Sequence, residues 1–311
     1  MTQKTPIFSG LIFLFSLIIS AQQTPHYTQY MYNMQTINPA YVGVRSDLSI
    51  NLLTRSQWIG VEGSPKTTTF SLNGRAFDGL GLGFSVINDK IGLAENTNIN
   101  IDASYTVVVS DRNRLSLGLK GGASFFNNNL AEGITPDNEI YTSLKGSHMN
   151  VGVGAFFYNE RFYVGLSMPY LLKTPQFRID NSENITGLSD NINIFTTAGV
   201  IFEINDKLKF RPSTMIKYAP NLPLSIDFNT NILYNNRIEL GLSYRYNDSA
   251  SAMLAVVLNK NFRIGYAYDK TLTDLGTNLS SHEVMLMIDF NFKSKGRWLD
   301  APSCSFYNLQ N

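Results

Sequence analysis

Few residues in this chain have the type and spacing for catalysis. Histidine occurs only at His26, His148 and His282, and cysteine only at Cys304. The run His282-Glu283-Val284-Met285-Leu286 opens like a zinc-hydrolase signature but lacks the second histidine that would put two ligands on one helix face. No Gly-x-Ser-x-Gly elbow is present to expose a nucleophilic serine. The glycines of Gly79-Leu80-Gly81-Leu82-Gly83 begin a dinucleotide fingerprint, but Phe84 stands where its third glycine belongs and no helix is predicted to follow. Asp137, Asn138 and Glu139 offer calcium-type oxygens without EF-hand spacing, which reads as a solvated loop. A dispersed Ser, His and carboxylate set is recognised by geometry and not by linear spacing, so that alternative stays open. The expectation is a protein that is not an enzyme, with no metal and no cofactor.

The elements that carry these residues follow from composition and period. The chain has 311 residues, with 25 Lys plus Arg against 24 Asp plus Glu, so nucleic acid is not an expected partner. Charged residues make up 16% and aromatics 12%, a poor match to a surface covered only by water. Residues 1–21 read as a cleaved secretory signal: Lys4, an apolar run from Ile7 to Ile19, then Ser20 and Ala21. That run is too short for a transmembrane helix. A single cysteine allows no intramolecular disulfide, and no cysteine follows the apolar run to take a lipid anchor.

Beyond residue 45 the pattern alternates with a period of two. Ile99, Ile101, Ala103, Tyr105, Val107 and Val109 share one face, and Asn98, Asn100, Asp102, Ser104 and Thr106 the other. Fourteen such segments are expected, near 48–54, 66–73, 79–87, 97–109, 115–125, 149–159, 161–168, 194–204, 208–217, 224–234, 237–246, 250–259, 262–269 and 282–292. Tight links such as Asn235-Asn236 recur at every other connection, and the longest connections, 126–148, 169–193 and 270–281, fall between them. The expected fold is all-β: a transmembrane antiparallel β-barrel of fourteen strands over residues 46–292, with short periplasmic turns, longer extracellular loops and both termini periplasmic. A soluble sandwich also alternates but has less use for so many strand-end aromatics. Tyr105, Tyr158, Tyr163, Tyr234, Tyr244, Tyr246, Tyr266 and Tyr268 are expected to form interfacial girdles.

With the apolar face toward lipid, Asp102, Lys120, Glu203, Asp227, Glu239, Arg245, Arg263, Asp269, Glu283 and Asp289 point into the lumen. Seven of these ten are acidic, which predicts a modestly anionic lumen. Repeated glycines, among them Gly81, Gly83, Gly118, Gly154 and Gly265, mark strands that curve or lie close to an internal segment. Residues 22–45 precede the first strand and are rich in Tyr and Met. They could plug the lumen, brace the periplasmic mouth or bind a partner, with bracing the favoured role. Residues 293–311, including Arg297, Trp298 and Cys304, form a C-terminal periplasmic tail or a second lumen filler.

Several motifs are individual enough to suggest a family. The segment Gln29-Tyr30-Met31-Tyr32-Asn33, then Asn38-Pro39-Ala40-Tyr41, Arg55-Ser56-Gln57-Trp58, Pro65-Lys66-Thr67 and Asn88-Asp89-Lys90 together resemble the PorP/SprF family of Bacteroidetes outer-membrane proteins over essentially the whole mature chain. The resemblance implies an integral outer-membrane protein of type IX secretion and, in some bacteria, gliding motility. It implies support for the export or surface anchoring of a large secreted adhesin, met through the adhesin's C-terminal domain. Periplasmic secretion-ring or peptidoglycan-binding components are further implied partners, beside outer-membrane lipid. The family's motif positions fall here on Tyr27, Gln29, Tyr30, Asn33, Asn38, Pro39, Tyr41, Arg55, Gln57, Trp58, Pro65, Lys66, Asn88, Asp89 and Lys90. Asn38-Pro39 would fix an entry turn, Arg55 and Lys66 would pair with carboxylates near a mouth, and Trp58 would act as an aromatic anchor. A passive or substrate-selective channel is the alternative reading.

Overall fold

A computed structural model describes residues 27–129, 144–172, 174–176, 187–189, 192–220, 222–273 and 279–292. Seven strands come first: β1 (Leu48–Ser56), β2 (Lys66–Phe77), β3 (Leu80–Ile91), β4 (Ala94–Val108), β5 (Arg114–Asn128), β6 (Leu144–Tyr158) and β7 (Phe162–Met168). A two-stranded ribbon, β8 (Thr174–Gln176) and β9 (Gly187–Ser189), sits within the long connection that follows. The eighth barrel strand is β10 (Ile194–Val200) continued by β11 (Phe202–Asn205). Then come β12 (Leu208–Tyr218), β13 (Ser225–Tyr234), β14 (Ile238–Arg245), β15 (Ser249–Val257), β16 (Phe262–Thr271) and β17 (Ser280–Phe290). Each strand pairs antiparallel with its neighbour, and β17 returns beside β1 with Leu48 opposite Phe290 and Ser56 opposite His282. The result is a closed barrel of fourteen strands. Closure matters because lipid offers no partner to an open sheet edge.

Local chemistry explains where the sheet turns and where it breaks. Asn235 and Asn236 both take positive φ, 52° and 51°, the geometry of a tight hairpin whose twist matches the strands. The gap between β10 and β11 falls at Ile201, and by register Pro212 of β12 lies beside it. Proline has no N–H to give the ladder, so the pairing lapses there.

The connections sort by mouth. Those at one end are 78–79, 109–113, 159–161, 206–207, 235–237 and 258–261, all short, and β1 starts and β17 finishes at that same end. The other end carries 57–65, 129–143, 169–193 and 272–279, with shorter links between them. We call these the short-turn mouth and the long-loop mouth.

Alternation assigns the faces as expected: Ile101 is 65% exposed while Asp102 beside it is fully buried. The interior is also filled. Residues 30–41 form three single 3₁₀ turns, Tyr30–Tyr32, Met34–Thr36 and Pro39–Tyr41, and every residue of all three is buried. The segment runs lengthwise through the barrel. Thr28 meets Asp269 and Glu283 in the long-loop half, whereas Arg45 meets Asp289 near the short-turn mouth. Of the three roles open to this segment, plugging is the one observed for residues 27–45; residues 22–26 and the tail 293–311 lie outside the described residues. β1 begins and β17 finishes at the short-turn mouth, while Tyr27, the first described residue, lies in the long-loop half; the two chain ends themselves lie outside the described residues.

The inner wall is shaped for this guest. A Cβ on Gly118 would collide with Pro39 and Ala40, one on Gly154 with Asn38, and one on Gly81 with Val42. Two girdle expectations fail for the same reason. Tyr158 and Tyr163 are buried at 3% and 6%, close to Phe156, whose ring meets Tyr41 of the plug edge-on at 5.4 Å. The other six named tyrosines are exposed.

Gly118 and Gly121 allow a paired test, since nothing lies within 4 Å of a Cβ on Gly121. Gly118→Val should lower folding stability by about 1–3 kcal/mol and increase proteolysis within residues 27–45. Gly121→Val should stay within about 0.5 kcal/mol of wild type in the same detergent unfolding assay.

Candidate functional site

The chemically organised region is the seam between plug and wall. At its long-loop end, the backbone N–H groups of Thr28 and Gln29 donate to the two oxygens of Glu283 at 2.7 and 3.0 Å. The Thr28 hydroxyl donates to Asp269 at 2.8 Å, and Arg55 bridges both carboxylates. Tyr27 bonds Thr69 at 2.8 Å, and the Tyr30 hydroxyl accepts from Asn229 at 3.1 Å. Midway, Ser71 donates to Asn33, Asn73 donates to the Gln35 side-chain oxygen, and Gln35 donates to Asp102 at 3.0 Å. Asp102 also pairs with Lys120 at 2.8 Å. The Asn38-Pro39 turn is present: the Asn38 side chain accepts from Ala40 N at 2.9 Å and donates to the Ala155 carbonyl at 3.1 Å. At the short-turn end, Asp289 takes Arg45 at 3.0 Å, Ser49 at 2.6 Å and Arg263.

These contacts change the expected electrostatics. Nine of the ten predicted lumen residues are buried inside, but Glu203 is not: its side chain is 67% exposed, 3.6 Å from Lys209. It lies at a register shift in β11 beside the 206–207 turn, where alternation gives way. The anionic lumen is overturned as well. Among the described residues the buried anions are Asp102, Asp227, Glu239, Asp269, Glu283 and Asp289, against the cations Arg45, Arg55, Lys120, Lys209, Arg211, Lys217, Arg245 and Arg263. Buried carboxylates must be paired. Of the cations outside the predicted lumen set, Arg55, Lys209, Arg211 and Lys217 lie on predicted strands or just past their ends with the same inward parity, and Arg45 comes from the end of the plug. Arg245 grips Asp227 at 2.7 Å, and Arg211 meets Glu239 at 3.2 Å while lying over the Tyr32 ring.

The family-type motif residues divide into two groups. Tyr27, Gln29, Tyr30, Asn33, Asn38, Pro39 and Tyr41 form the plug, and Arg55 clamps it. Gln57, Trp58, Pro65, Lys66, Asn88, Asp89 and Lys90 collect instead at one corner of the long-loop mouth. There Gln57 N donates to Pro65 O at 2.9 Å, Thr67 to Asp89 at 2.6 Å, and Gly92 N to Gly63 O at 2.8 Å. Trp58 takes a φ of 47°, which is strained for a bulky side chain. Lys66 does not pair with a carboxylate: it is exposed and forms no ion pair among the described residues, because it stands on the outer face with Lys90 and Ser56 as its register neighbours. His282 likewise faces outward, with Tyr266 2.6 Å from its Nδ1, while Glu283 faces inward, so a strand keeps these neighbours from sharing a ligand.

Removing Arg55 would leave two buried carboxylates uncompensated. Arg55→Met should cost about 3–5 kcal/mol in detergent unfolding. Adding Asp269→Asn and Glu283→Gln to it should recover a measurable part of that loss.

With this geometry established, known proteins offer comparisons. The fold is similar to a mutant of the TodX monoaromatic hydrocarbon channel, with a TM-score of 0.50 at 9% identity over 82% of this chain and 93% of that one. Omp33 of Acinetobacter baumannii gives 0.47 at 8% identity over 80% and 100%, and a FadL homologue of Pseudomonas aeruginosa 0.47 at 12% over 82% and 93%. At such identities the likeness concerns the fold alone. No curated protein matches the chain. A family model for the type IX secretion system membrane protein PorP/SprF matches residues 19–288, nearly the whole chain. A closed fourteen-strand membrane barrel carrying that match belongs to the PorP/SprF family of type IX secretion system membrane proteins.

Proposed function

We propose that this protein is a non-enzymatic outer-membrane barrel of type IX secretion that supports the export or surface anchoring of a large secreted adhesin, which it meets through the adhesin's C-terminal domain. The observation that carries the reading is the lumen, occupied along its length by residues 27–45. A barrel filled by its own chain offers rims and loops to partners and no ready path to a solute. The channel reading would need the whole clamped segment to leave, against the ion pairs and hydrogen bonds that hold it. Any part in gliding motility would follow from the adhesin held.

The asymmetry of the connections supports a sidedness. Outer-membrane barrels turn tightly in the periplasm and carry longer loops outside. By that rule the ends of β1 and β17 face the periplasm, where secretion-ring or peptidoglycan-binding components would dock. The long-loop mouth faces outward, toward the adhesin.

Mild-detergent affinity purification from native outer membranes, with mass spectrometry of what is retained, tests the reading. A very large secreted protein, with or without periplasmic ring components, is the expected companion. A solitary barrel after crosslinking would contradict it. An epitope inserted at Val61, in the 57–65 connection of the long-loop mouth, should be labelled on intact cells; labelling only after permeabilisation would reverse the sidedness.

A further inference from the structure

The long-loop corner of β2 and β3 holds motif residues that neither the plug nor the clamp uses. Lys66 and Lys90 are directly opposite each other across the β2–β3 ladder, both exposed and both on the outer face. Like charges at facing positions repel and destabilise a sheet. Among the described residues neither lysine forms an ion pair, although Glu95 stands opposite Lys90 on the same outer face. Glu95, the register neighbour of Lys90, accepts instead from Asn88 at 2.8 Å. On its other side Lys66 faces Ser56, which in turn faces His282. Farther round the same row, Lys145 faces Asn127, the neighbour of Glu95.

The row has a fixed height. Two residues down each strand come Thr68 and Asn88, and two further come Phe70 and Val86, where the apolar belt begins. Four residues of strand span about 14 Å, or about 10 Å of depth at the usual tilt of about 40°. That sets the ammonium groups beside lipid headgroups and above the acyl chains. Hydroxyls of Ser56 and Thr68 flank them.

We propose that Lys66 and Lys90 form a binding site on the outer wall for the phosphate of a phosphorylated glycolipid headgroup in the membrane leaflet at the long-loop mouth. The anion sits between the two ammonium groups and removes the repulsion that the bare sheet carries, while its acyl chains lie along Phe70, Phe84 and Ile99. Placing this lipid in the outer leaflet rests on the sidedness argued above; the lysine site itself does not.

The test is native mass spectrometry of the full-length protein in detergent with added bis-phosphorylated lipid A, its dephosphorylated form, or inorganic phosphate. Wild type should retain the phosphorylated lipid, and Lys66→Gln with Lys90→Gln should lower retention at least about tenfold, the equivalent of about 1.4 kcal/mol. Lys66→Arg with Lys90→Arg should restore it. Lys207→Gln with Lys260→Gln, at the short-turn mouth, should change nothing, and each variant must keep the compact, heat-modifiable form. Equal retention by the double Gln variant, or by the dephosphorylated lipid, would overturn the site. Displacement of the lipid by inorganic phosphate at equal concentration would overturn the lipid as the source. Epitope labelling at Val61 decides the leaflet separately: a periplasmic result would overturn the outer-leaflet placement while retention in detergent would still report on the lysines.

Discussion

Everything inside this barrel depends on the grip of Asp269 and Glu283 on the start of the plug. Two carboxylates and a guanidinium taken out of water are a liability unless each finds charge and hydrogen bonds at once. Here the wall supplies Arg55, and the plug supplies two backbone N–H groups and a hydroxyl. Neither partner satisfies the set alone. Plug and wall are therefore coupled, so that losing the guest would leave bare anions in the wall.

The same logic repeats down the lumen and yields an interior resembling a protein core more than a water-filled pore. Asp102 is shared by Lys120 and Gln35, and Asp289 by Arg45 and Arg263. Between these polar stations, Tyr41 packs on Phe156, and Leu53, Leu233, Met285 and Met287 are buried with the plug's tyrosines and methionines. Glycine on the wall gives the plug its space, which explains why Gly81, Gly118 and Gly154 stand at inward positions that a side chain would fill in an empty barrel. The second group of motif residues lies outside this filled lumen, at the rim of the long-loop mouth.

Much of this was legible because a strand reports its faces residue by residue. Ile101 and Asp102 declare lipid and lumen with no knowledge of their neighbours, and Asn235-Asn236 marks a tight turn by its own conformational preference. What escaped depends on partners distant in sequence. Tyr158 and Tyr163 look like girdle residues until Phe156 and the plug are placed beside them. Glu203 follows the parity of its strand until a register shift next to a turn releases it. An anionic lumen follows from counting carboxylates but not from pairing them. The path of residues 27–45 is set by an irregular segment with no period to read, and only the glycines on the wall hinted at an internal guest. The clustering of Lys66 with Lys90 needs the β2–β3 register, which no local pattern supplies.

The central claim is that the chain closes its own lumen. Single-channel recording of the purified protein in a planar lipid bilayer tests it most directly, with Gly118→Val as the plug-loosened comparison. Wild type should insert without steady conductance while the variant shows openings. A stable ohmic pore in wild type, unchanged by the substitution, would contradict the account.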